Sequence, residues 1–471
     1  MSLTTEQLLL LNNLMYLEPA EGPYPELEDY AGQRIRDWMG AVDLSGITEP
    51  DPDYPGMTTA GEWMNIVIAA WNEPFLMDMR ILTAYTDLSE GGGLCKSAVF
   101  INADSADAVV VFKGTELVLG SSQWKDNFFS GNTADTPHQL KALEWYQEVY
   151  RKYHLEQFEV TVTGHSKGGN KAKYITIRDR TVDRCVSFDG EGFSDQFFTK
   201  YAVEILHREK KIENHCVDFD YISPLLNDIG TTTWYHGYNY GSGGFTENHL
   251  ANTFMHFSDL GRFTMDINEN GRPEEMEALD EFVNSYLRSM NDEERSKALN
   301  MLNELLNASL SVNRNMTRDE VIRVFLKLAD NPDNCTHISY FLAYLIRYEQ
   351  KRKDMTAKLN SVLTRFGMTG LAQYADLVAG IINWKKQILW ISLSFDHLAS
   401  AVSTINTHAP KWVYHRLSLH LERKGVILPA EELARLADII EMTDSYLKTA
   451  AVYEDGSDRR VHLARPAEPE S

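Results

Sequence analysis

The ten residues from Val160 to Gly169 constrain the fold of this chain more than any other segment. They read Val-Thr-Val-Thr-Gly-His-Ser-Lys-Gly-Gly, which sets a Gly-x-Ser-x-Gly motif directly behind a β-branched run. In a nucleophile elbow a strand stops, one serine takes a strained turn and a helix begins, so the hydroxyl stands exposed above the sheet edge. The motif predicts a strand over 157–163, a candidate nucleophile at Ser166 and a helix over 170–183. The alternative is a glycine-rich turn in which Ser166 only caps a helix.

The size and charge of the chain limit its function. With 471 residues, of which 43% are hydrophobic, the chain can form two or three domains with a substantial buried core. Its formal net charge is −23, from 68 acidic and 45 basic residues. Such a charge repels phosphate backbones and anionic bilayers, so we expect no nucleic-acid partner.

The sequence patterns do not favour export through a secretory signal or insertion into a membrane. The N-terminus lacks the basic start and small-residue cleavage site of a secretory signal. The most apolar long stretch, 377–395, is interrupted by two lysines. We therefore expect a cytoplasmic protein without a transmembrane segment. No Cys-x-x-Cys pair occurs among the four cysteines, Cys95, Cys185, Cys216 and Cys335. We therefore expect buried free thiols, which fit a reducing compartment such as the cytoplasm.

Strand and helix patterns alternate over the first 272 residues. Helices are predicted over 4–16, 61–71 and 139–153, and strands over 80–86, 96–102, 108–113, 184–188 and 215–222. Alternation of this kind is typical of a largely parallel sheet covered by helices on both faces. We therefore expect an α/β domain over 1–272.

The pattern becomes almost wholly helical after residue 272. Leucine-rich periodic segments are predicted as helices over 275–290, 292–311, 317–329 and 337–349, with others beyond. A helical domain is expected over 273–453 and a disordered tail over 454–471. The apolar run 389–395 is interpreted as the core of a helical bundle, with a lipid-facing or partner-facing stripe as the alternative. The helical domain is thus a candidate surface for a protein partner.

A serine nucleophile needs a base that accepts its proton and a carboxylate that orients the base. In folds built around a nucleophile elbow, the acid and then the histidine follow the serine in the chain. Asp220 is the favoured acid because it stands where a predicted strand gives way to Ser-Pro. Asp189, Asp218 and Asp228 remain alternatives: Asp218 could still lie inside the strand, and Asp189 fits a turn better.

His249 is the favoured base. It follows the glycine-rich stretch 241–244, which could bring its ring over the serine. His256, in an apolar setting, is the alternative base, and His236 is a further histidine in this region. His165, next to the nucleophile, is expected to point away from it and to pack beneath the elbow.

Acyl transfer also needs hydrogen-bond donors for the developing oxyanion. The backbone N–H of Lys167 is one candidate, since it opens the predicted helix, where an unpaired amide and the helix dipole favour negative charge. Thr115 is the second candidate, because the predicted buried strand over 108–113 is followed directly by Gly114 and Thr115.

Three motifs carry a family resemblance: Phe-Lys-Gly-Thr at 112–115, Trp-Lys-Asp-Asn-Phe at 124–128 and Gly-His-Ser-Lys-Gly-Gly at 164–169. In order and spacing they resemble the lipase-like α/β-hydrolases related to class 3 lipases, and in particular their bacterial Mbeg-like branch. The resemblance covers roughly residues 4–310. It implies an α/β-hydrolase fold with Ser166 as nucleophile, Thr115 and Lys167 as oxyanion donors, and an acid and a histidine at the Asp220 and His249 positions.

The expected function is therefore a serine hydrolase that cleaves carboxylic esters, such as acyl lipids, through an acyl-enzyme. The alternatives are a catalytically silent binding or scaffolding protein, and a thioesterase or amidase that uses the same site. The segment 117–131 is a candidate lid. No metal or other cofactor is expected: the EF-hand-like pattern from Asp266 to Glu277 is interpreted as a turn at Asn270-Gly271.

Overall fold

The computed structural model describes residues 3–17, 25–43, 58–87, 95–114, 133–238, 247–310, 318–365, 369–393, 418–419, 421–423 and 426–449. Contacts within the chain divide it into two compact units, Met1–Asp280 and Glu281–Ser471.

An eight-stranded sheet forms the centre of the first unit. The strands of this unit are β1 (Arg80–Asp87), β2 (Cys95–Asn102), β3 (Asp107–Phe112), β4 (Glu159–His165), β5 (Arg184–Phe188), β6 (Ile212–Val217), β7 (Thr231–His236), β8 (His256–Asp259), β9 (Arg262–Thr264) and β10 (Asp266–Ile267). The sheet order is β1-β2-β3-β4-β5-β6-β7-β10, and β8 pairs with β9 in a separate hairpin. Strands β3 to β7 run parallel, whereas the pairs β1–β2, β2–β3 and β7–β10 are antiparallel. This mostly parallel sheet confirms the predicted α/β-hydrolase fold class.

Helices cover both faces of the sheet. They are α1 (Thr5–Leu14), α2 (Ile35–Ala41), α3 (Ala60–Trp71), α4 (Pro74–Asp78), α5 (Pro137–Lys152), α6 (Lys167–Arg178), α7 (Asp195–Lys200) and α8 (Ala202–Arg208). The sequence at the start of α5 shows why a helix begins there: Thr136 caps the helix, Gln139 completes a capping box, and Pro137 holds the first helical position.

Alternation along β3 divides the apolar core into two layers. Val109 and Val111 join the core formed with α1 to α4, while Ala108, Val110 and Phe112 join the core formed with α5 and α6. All five side chains are fully buried. Full burial of one valine is worth about 1.5–3 kcal/mol, so this continuous apolar run both places β3 in the middle of the sheet and stabilises it there.

Five strands, β1 to β5, lie within two residues of their predicted bounds. The prediction for β6 was wrong at its carboxyl end, which was placed at Ile222 although the strand ends at Val217. The chain turns there, because the amide of Asp220 donates to the Val217 carbonyl and Asp220 Oδ2 accepts from the amides of Ile222 and Ser223. Local hydrogen bonds of this kind compete with a sheet ladder.

The second unit is mainly helical over its described residues, as predicted. Its helices are α10 (Asp292–Leu310), α11 (Arg318–Leu328), α12 (Pro332–Lys351), α13 (Lys353–Arg365), α14 (Thr369–Leu393) and α15 (Ala430–Thr449), and the unit boundary lies within α9 (Glu274–Arg288). Buried aromatic rings form part of its core, where Tyr286, Tyr340 and Tyr344 contact one another. The side chains of 389–395 and the whole of the tail 454–471 lie outside the described residues.

Two further predictions concern thiols and membranes. Cys185, Cys216 and Cys335 are buried and form no disulfide. Among the described residues, no helix has both the length and the apolar character that a membrane crossing requires.

Candidate active site

Ser166 stands at the junction of β4 and α6, one residue after the strand and one before the helix. Its backbone has φ 58° and ψ −127°, a strained conformation for an L-residue. The helix passes close to two strands there: a Cβ at Gly164 in β4 would lie 2.1 Å from the Gly168 carbonyl carbon, and a Cβ at Gly168 would lie 1.9 Å from the carbonyl oxygen of Phe112 in β3. Only glycine fits both positions, so the two glycines of the motif permit the close approach that presents Ser166.

Three of the predicted site residues, Ser166, His249 and Asp220, are connected by hydrogen bonds. His249 Nε2 is 2.7 Å from Ser166 Oγ, and His249 Nδ1 is 2.6 Å from Asp220 Oδ1. Asp220 is 1% exposed and Ser166 6% exposed. In this buried setting, a carboxylate that accepts from Nδ1 fixes the imidazole tautomer, which leaves Nε2 free to accept the serine proton.

The fold brings these residues together from separate elements. Because β4, β5 and β6 run parallel, Ser166 and Asp220 both follow strands that end at the same edge of the sheet. His249 ends a short 3₁₀ turn, Glu247–His249. The next turn is tied to α1 by a hydrogen bond from Asn13 Nδ2 to the Ala251 carbonyl, 3.2 Å long.

The alternative acids have other partners. Asp218 lies just after β6 rather than inside it, which corrects the sequence expectation, and its Oδ2 is 2.6 Å from His236 Nδ1. Asp228 Oδ1 accepts from Lys173 Nζ at 2.6 Å.

Asp189, the third alternative acid, is fully buried and accepts from the Val217 amide at 2.8 Å. Burial, and then the neighbouring Asp220 carboxylate, raise the pKa of Asp189 well above its usual value. Its backbone has φ 45°, which fits the predicted turn.

The remaining histidines of the region also have defined positions. His256 Nε2 donates to the His236 carbonyl at 2.6 Å, which engages the nitrogen that the alternative base would need. His165 is buried, as expected, but its ring centroid is only 4.9 Å from that of His249. It therefore packs directly on the candidate base rather than merely beneath the serine.

Of the two candidate oxyanion donors, only Lys167 lies within the described residues. It is the first residue of α6, and its Nζ forms a buried ion pair with Glu191 Oε1 at 2.5 Å. Thr115 lies outside the described residues, as do the candidate lid 117–131 and the glycine-rich stretch 241–244. Gly114, the last described residue before Thr115, lies close to the candidate nucleophile: a Cβ on Gly114 would lie 2.9 Å from Ser166 Cβ.

Two side chains that support the site were not predicted from the sequence. Glu191 holds Lys167, and the acidic residue in Asp-Gly-Glu-Gly directly after β5 was a signal that could have pointed to it. Tyr16 contacts His165, and no sequence signal points to this pair, because the two residues are 149 positions apart.

Two sets of residues carry atoms of the kinds that bind metal ions in proteins. His165, Asp189 and His249 each offer one ligand atom, and these atoms lie within 4.8 Å of one another. Both ring nitrogens of His249 already contact Ser166 and Asp220, so a metal would have to displace that series. The EF-hand-like segment instead forms β10 at Asp266–Ile267, followed by a turn in which the Gly271 amide donates to the Asn268 carbonyl.

Comparison with known proteins agrees with the resemblance predicted from the three motifs. Residues 70–217 match the family model described as Mbeg1-like. The matched region contains Ser166 and Lys167 and ends before Asp220 and His249. No curated protein matches the chain significantly.

Solved structures similar to this chain include several fungal lipases. The Rhizomucor miehei lipase propeptide complex is 13% identical and has a TM-score of 0.25, with 40% of this chain and 72% of that chain covered. Lipase II from Rhizopus niveus is 17% identical with a TM-score of 0.25, covering 36% and 69%. The Lip2 lipase from Yarrowia lipolytica is 12% identical with a TM-score of 0.28, covering 49% and 77%.

Proposed function

We propose that this chain, a lipase-like protein of the Mbeg1-like kind, is a serine hydrolase that cleaves carboxylic esters through an acyl-enzyme on Ser166. The observation that carries the proposal is the series Ser166 Oγ, His249 Nε2 and Nδ1, and Asp220 Oδ1, with separations of 2.7 and 2.6 Å. A hydroxyl, a base within hydrogen-bond reach and an acid that orients the base are the parts that nucleophilic acyl transfer needs.

In the first half of the proposed reaction, Ser166 Oγ attacks the ester carbonyl while its proton passes to His249 Nε2. Asp220 keeps the Nδ1 proton in place and stabilises the imidazolium that forms. Collapse of the tetrahedral intermediate breaks the bond to the leaving alkoxide, which takes the proton from His249. Water then attacks the acyl-enzyme by the same route, releasing the carboxylic acid and restoring the serine.

The oxyanion is assigned to the backbone amides of Lys167 and Thr115. The Lys167 amide opens a helix of twelve residues, so the positive end of the helix dipole favours a negative oxygen there. Each donor of this kind is worth about 2.7–4 kcal/mol of barrier in comparable hydrolases. The proposed substrates are hydrophobic acyl esters, which the family resemblance favours over thioesters and amides.

Labelling with a fluorophosphonate probe tests the proposal. The native chain should label and Ser166→Ala should not, because the probe reacts only with an activated serine hydroxyl. Ser105→Ala is a matched control: Ser105 lies between β2 and β3, at the opposite end of the sheet from Ser166, and its loss should leave labelling unchanged. Labelling that persists in Ser166→Ala rejects Ser166 as the nucleophile, and no labelling of the native chain favours a binding or scaffolding role.

A further inference from the structure

Tyr16, just after α1, makes two hydrogen bonds through one oxygen. Its hydroxyl accepts from the Gly114 amide at 3.0 Å and lies 2.9 Å from His165 Nδ1. The Tyr16 hydroxyl can donate one hydrogen bond and accept others. Because the Gly114 amide can only donate, Tyr16 accepts from it, and the bond to His165 Nδ1 fixes which ring nitrogen of the neutral His165 carries the proton.

His165 connects this bond to the candidate base. Its side chain is buried and its ring packs against that of His249, with centroids 4.9 Å apart and planes inclined by 35°. Burial, and then the charge of a protonated His249, hold the pKa of His165 well below its usual value. His165 therefore stays neutral while His249 cycles between its charged and neutral forms, so the two rings do not repel each other.

Gly114 connects the other bond of Tyr16 to the candidate oxyanion site. A Cβ at Gly114 would lie 2.4 Å from the Tyr16 hydroxyl, 2.6 Å from the His165 carbonyl oxygen and 2.9 Å from Ser166 Cβ. Because glycine has no side chain, the backbone just after β3 can lie close to both Tyr16 and the candidate nucleophile Ser166. A hydrogen bond at the Gly114 amide fixes the backbone one residue before Thr115.

We propose that Tyr16 and His165 are positioning residues for this site: Tyr16 holds the backbone next to the second oxyanion donor and orients His165, whose ring supports His249. The inference rests on the proposed function. Neither residue touches the substrate or exchanges a proton with it. Their role is geometric, and small displacements at a reacting centre cost up to about a hundredfold in rate.

The first arm of the test compares Tyr16→Phe with the native chain in the hydrolysis of p-nitrophenyl butyrate. We expect kcat to fall about tenfold or more with KM changed less than twofold, because the ring stays in place while both hydrogen bonds are lost. Tyr146→Phe is the matched control: it removes another tyrosine hydroxyl bond, to Thr181 Oγ1 at 2.9 Å, in the α5 layer of the core. Both variants should lower thermal stability, but only Tyr16→Phe should lower kcat.

The second arm reads the tautomer directly and does not depend on activity. In ¹⁵N-histidine NMR at pH 7, the His165 signals, identified by their loss in His165→Gln, should show a single neutral tautomer, because the bond to Tyr16 fixes the protonated nitrogen. In Tyr16→Phe that single tautomer should give way to a mixture. An unchanged kcat in Tyr16→Phe, or a tautomer population that is the same in Tyr16→Phe and in the native chain, overturns the inference. If the native chain neither hydrolyses the ester nor labels, the proposed function has failed, and the tautomer measurement still decides whether Tyr16 orients His165.

Discussion

Two carboxylates of the loop after β6 each hold an imidazole, but only one of those imidazoles lies at Ser166. Asp220 contacts His249 and Asp218 contacts His236, both at 2.6 Å. Asp220 also accepts from the amides of Ile222 and Ser223, which fixes the carboxylate in place. The chemical identity of the two acids is the same, so their roles follow from what each one faces.

Asp220→Asn is predicted to lower kcat for p-nitrophenyl butyrate on the order of a thousandfold or more, because an amide no longer holds His249 in the reactive tautomer. Asp218→Asn, two residues away in the same loop, is the control and should lower kcat less than tenfold. Steady-state kinetics of the two variants check this prediction. Comparable losses in both variants would contradict the assignment of the acid.

The sequence predicted Ser166 as the nucleophile, His249 as the base and Asp220 as the favoured acid, but it left alternative acids open. Asp218 and Asp220 differ by two positions, and a strand that continued to Ile222 would place both on one face. The strand ends at Val217 instead, because side-chain and backbone bonds within the loop compete with the ladder. The contact of Tyr16 with His165 arises from how α1 packs on the sheet, and local patterns carry no information about such packing.

Among the secondary-structure elements, the close approach of α6 to β3 and β4 is what presents the candidate nucleophile Ser166. Glycines 164 and 168 make this approach possible, and the buried pair of Lys167 with Glu191 ties the first residue of the helix to the loop after β5. The β-branched run and the glycine spacing predicted a strand followed by a helix, although the helix spans Lys167–Arg178 rather than 170–183. Strand β7 was not predicted, although Thr-Thr-Thr-Trp-Tyr-His is rich in residues that favour strands, because its exposed start gives no clear alternation of polar and apolar residues.

Gly168→Ala is predicted to destabilise the protein by about 1–3 kcal/mol or more, since the new Cβ would overlap the Phe112 carbonyl oxygen and neither backbone can move freely. Gly61→Ala, near the start of α3, is the control: no atom lies within 4 Å of its Cβ position, and alanine favours a helix. The control should be neutral or slightly stabilising. Urea unfolding of both variants measures the difference, and equal stabilities would be inconsistent with the close approach.

Lys167→Met is predicted to cost about 3–5 kcal/mol in the free energy of unfolding, because it leaves the Glu191 carboxylate buried without its cation. The double variant Lys167→Met with Glu191→Leu should regain most of that loss, since apolar side chains of similar size fit a buried position. Urea unfolding of the single and double variants is the measurement. If the double variant is as unstable as the sum of the two single variants, the pair is not coupled as described.

At the scale of the whole molecule, the change from mixed α/β to helical sequence after residue 272 corresponds to a change in structure. No described residue after α9 belongs to a strand of the sheet. The contacts within the chain group it into two compact units, Met1–Asp280 and Glu281–Ser471. We propose that the region from residue 273 onward is a separate domain. The helical character of the described C-terminal region was predictable because periodicity over long segments is a strong signal, whereas the point of division inside α9 depends on tertiary contacts.

Limited proteolysis tests that organisation. Cleavage is predicted in the Asn268–Gly271 turn rather than inside α9, because hydrogen-bonded helical backbone resists proteases. Mass spectrometry should give a fragment that begins near residue 272, and circular dichroism of that fragment should be helical. A fragment that is degraded as fast as it forms would argue against an independent helical domain.

Trapping the acyl-enzyme tests most directly whether Ser166 is the nucleophile. The native chain is mixed with p-nitrophenyl butyrate, quenched in acid within the first turnovers and digested for peptide mass spectrometry. We expect a butyryl group on Ser166 in the native chain and none in Ser166→Ala, with much slower acylation in Asp220→Asn. A butyryl group on another residue, or hydrolysis that continues at the native rate in Ser166→Ala, would show that Ser166 is not the nucleophile.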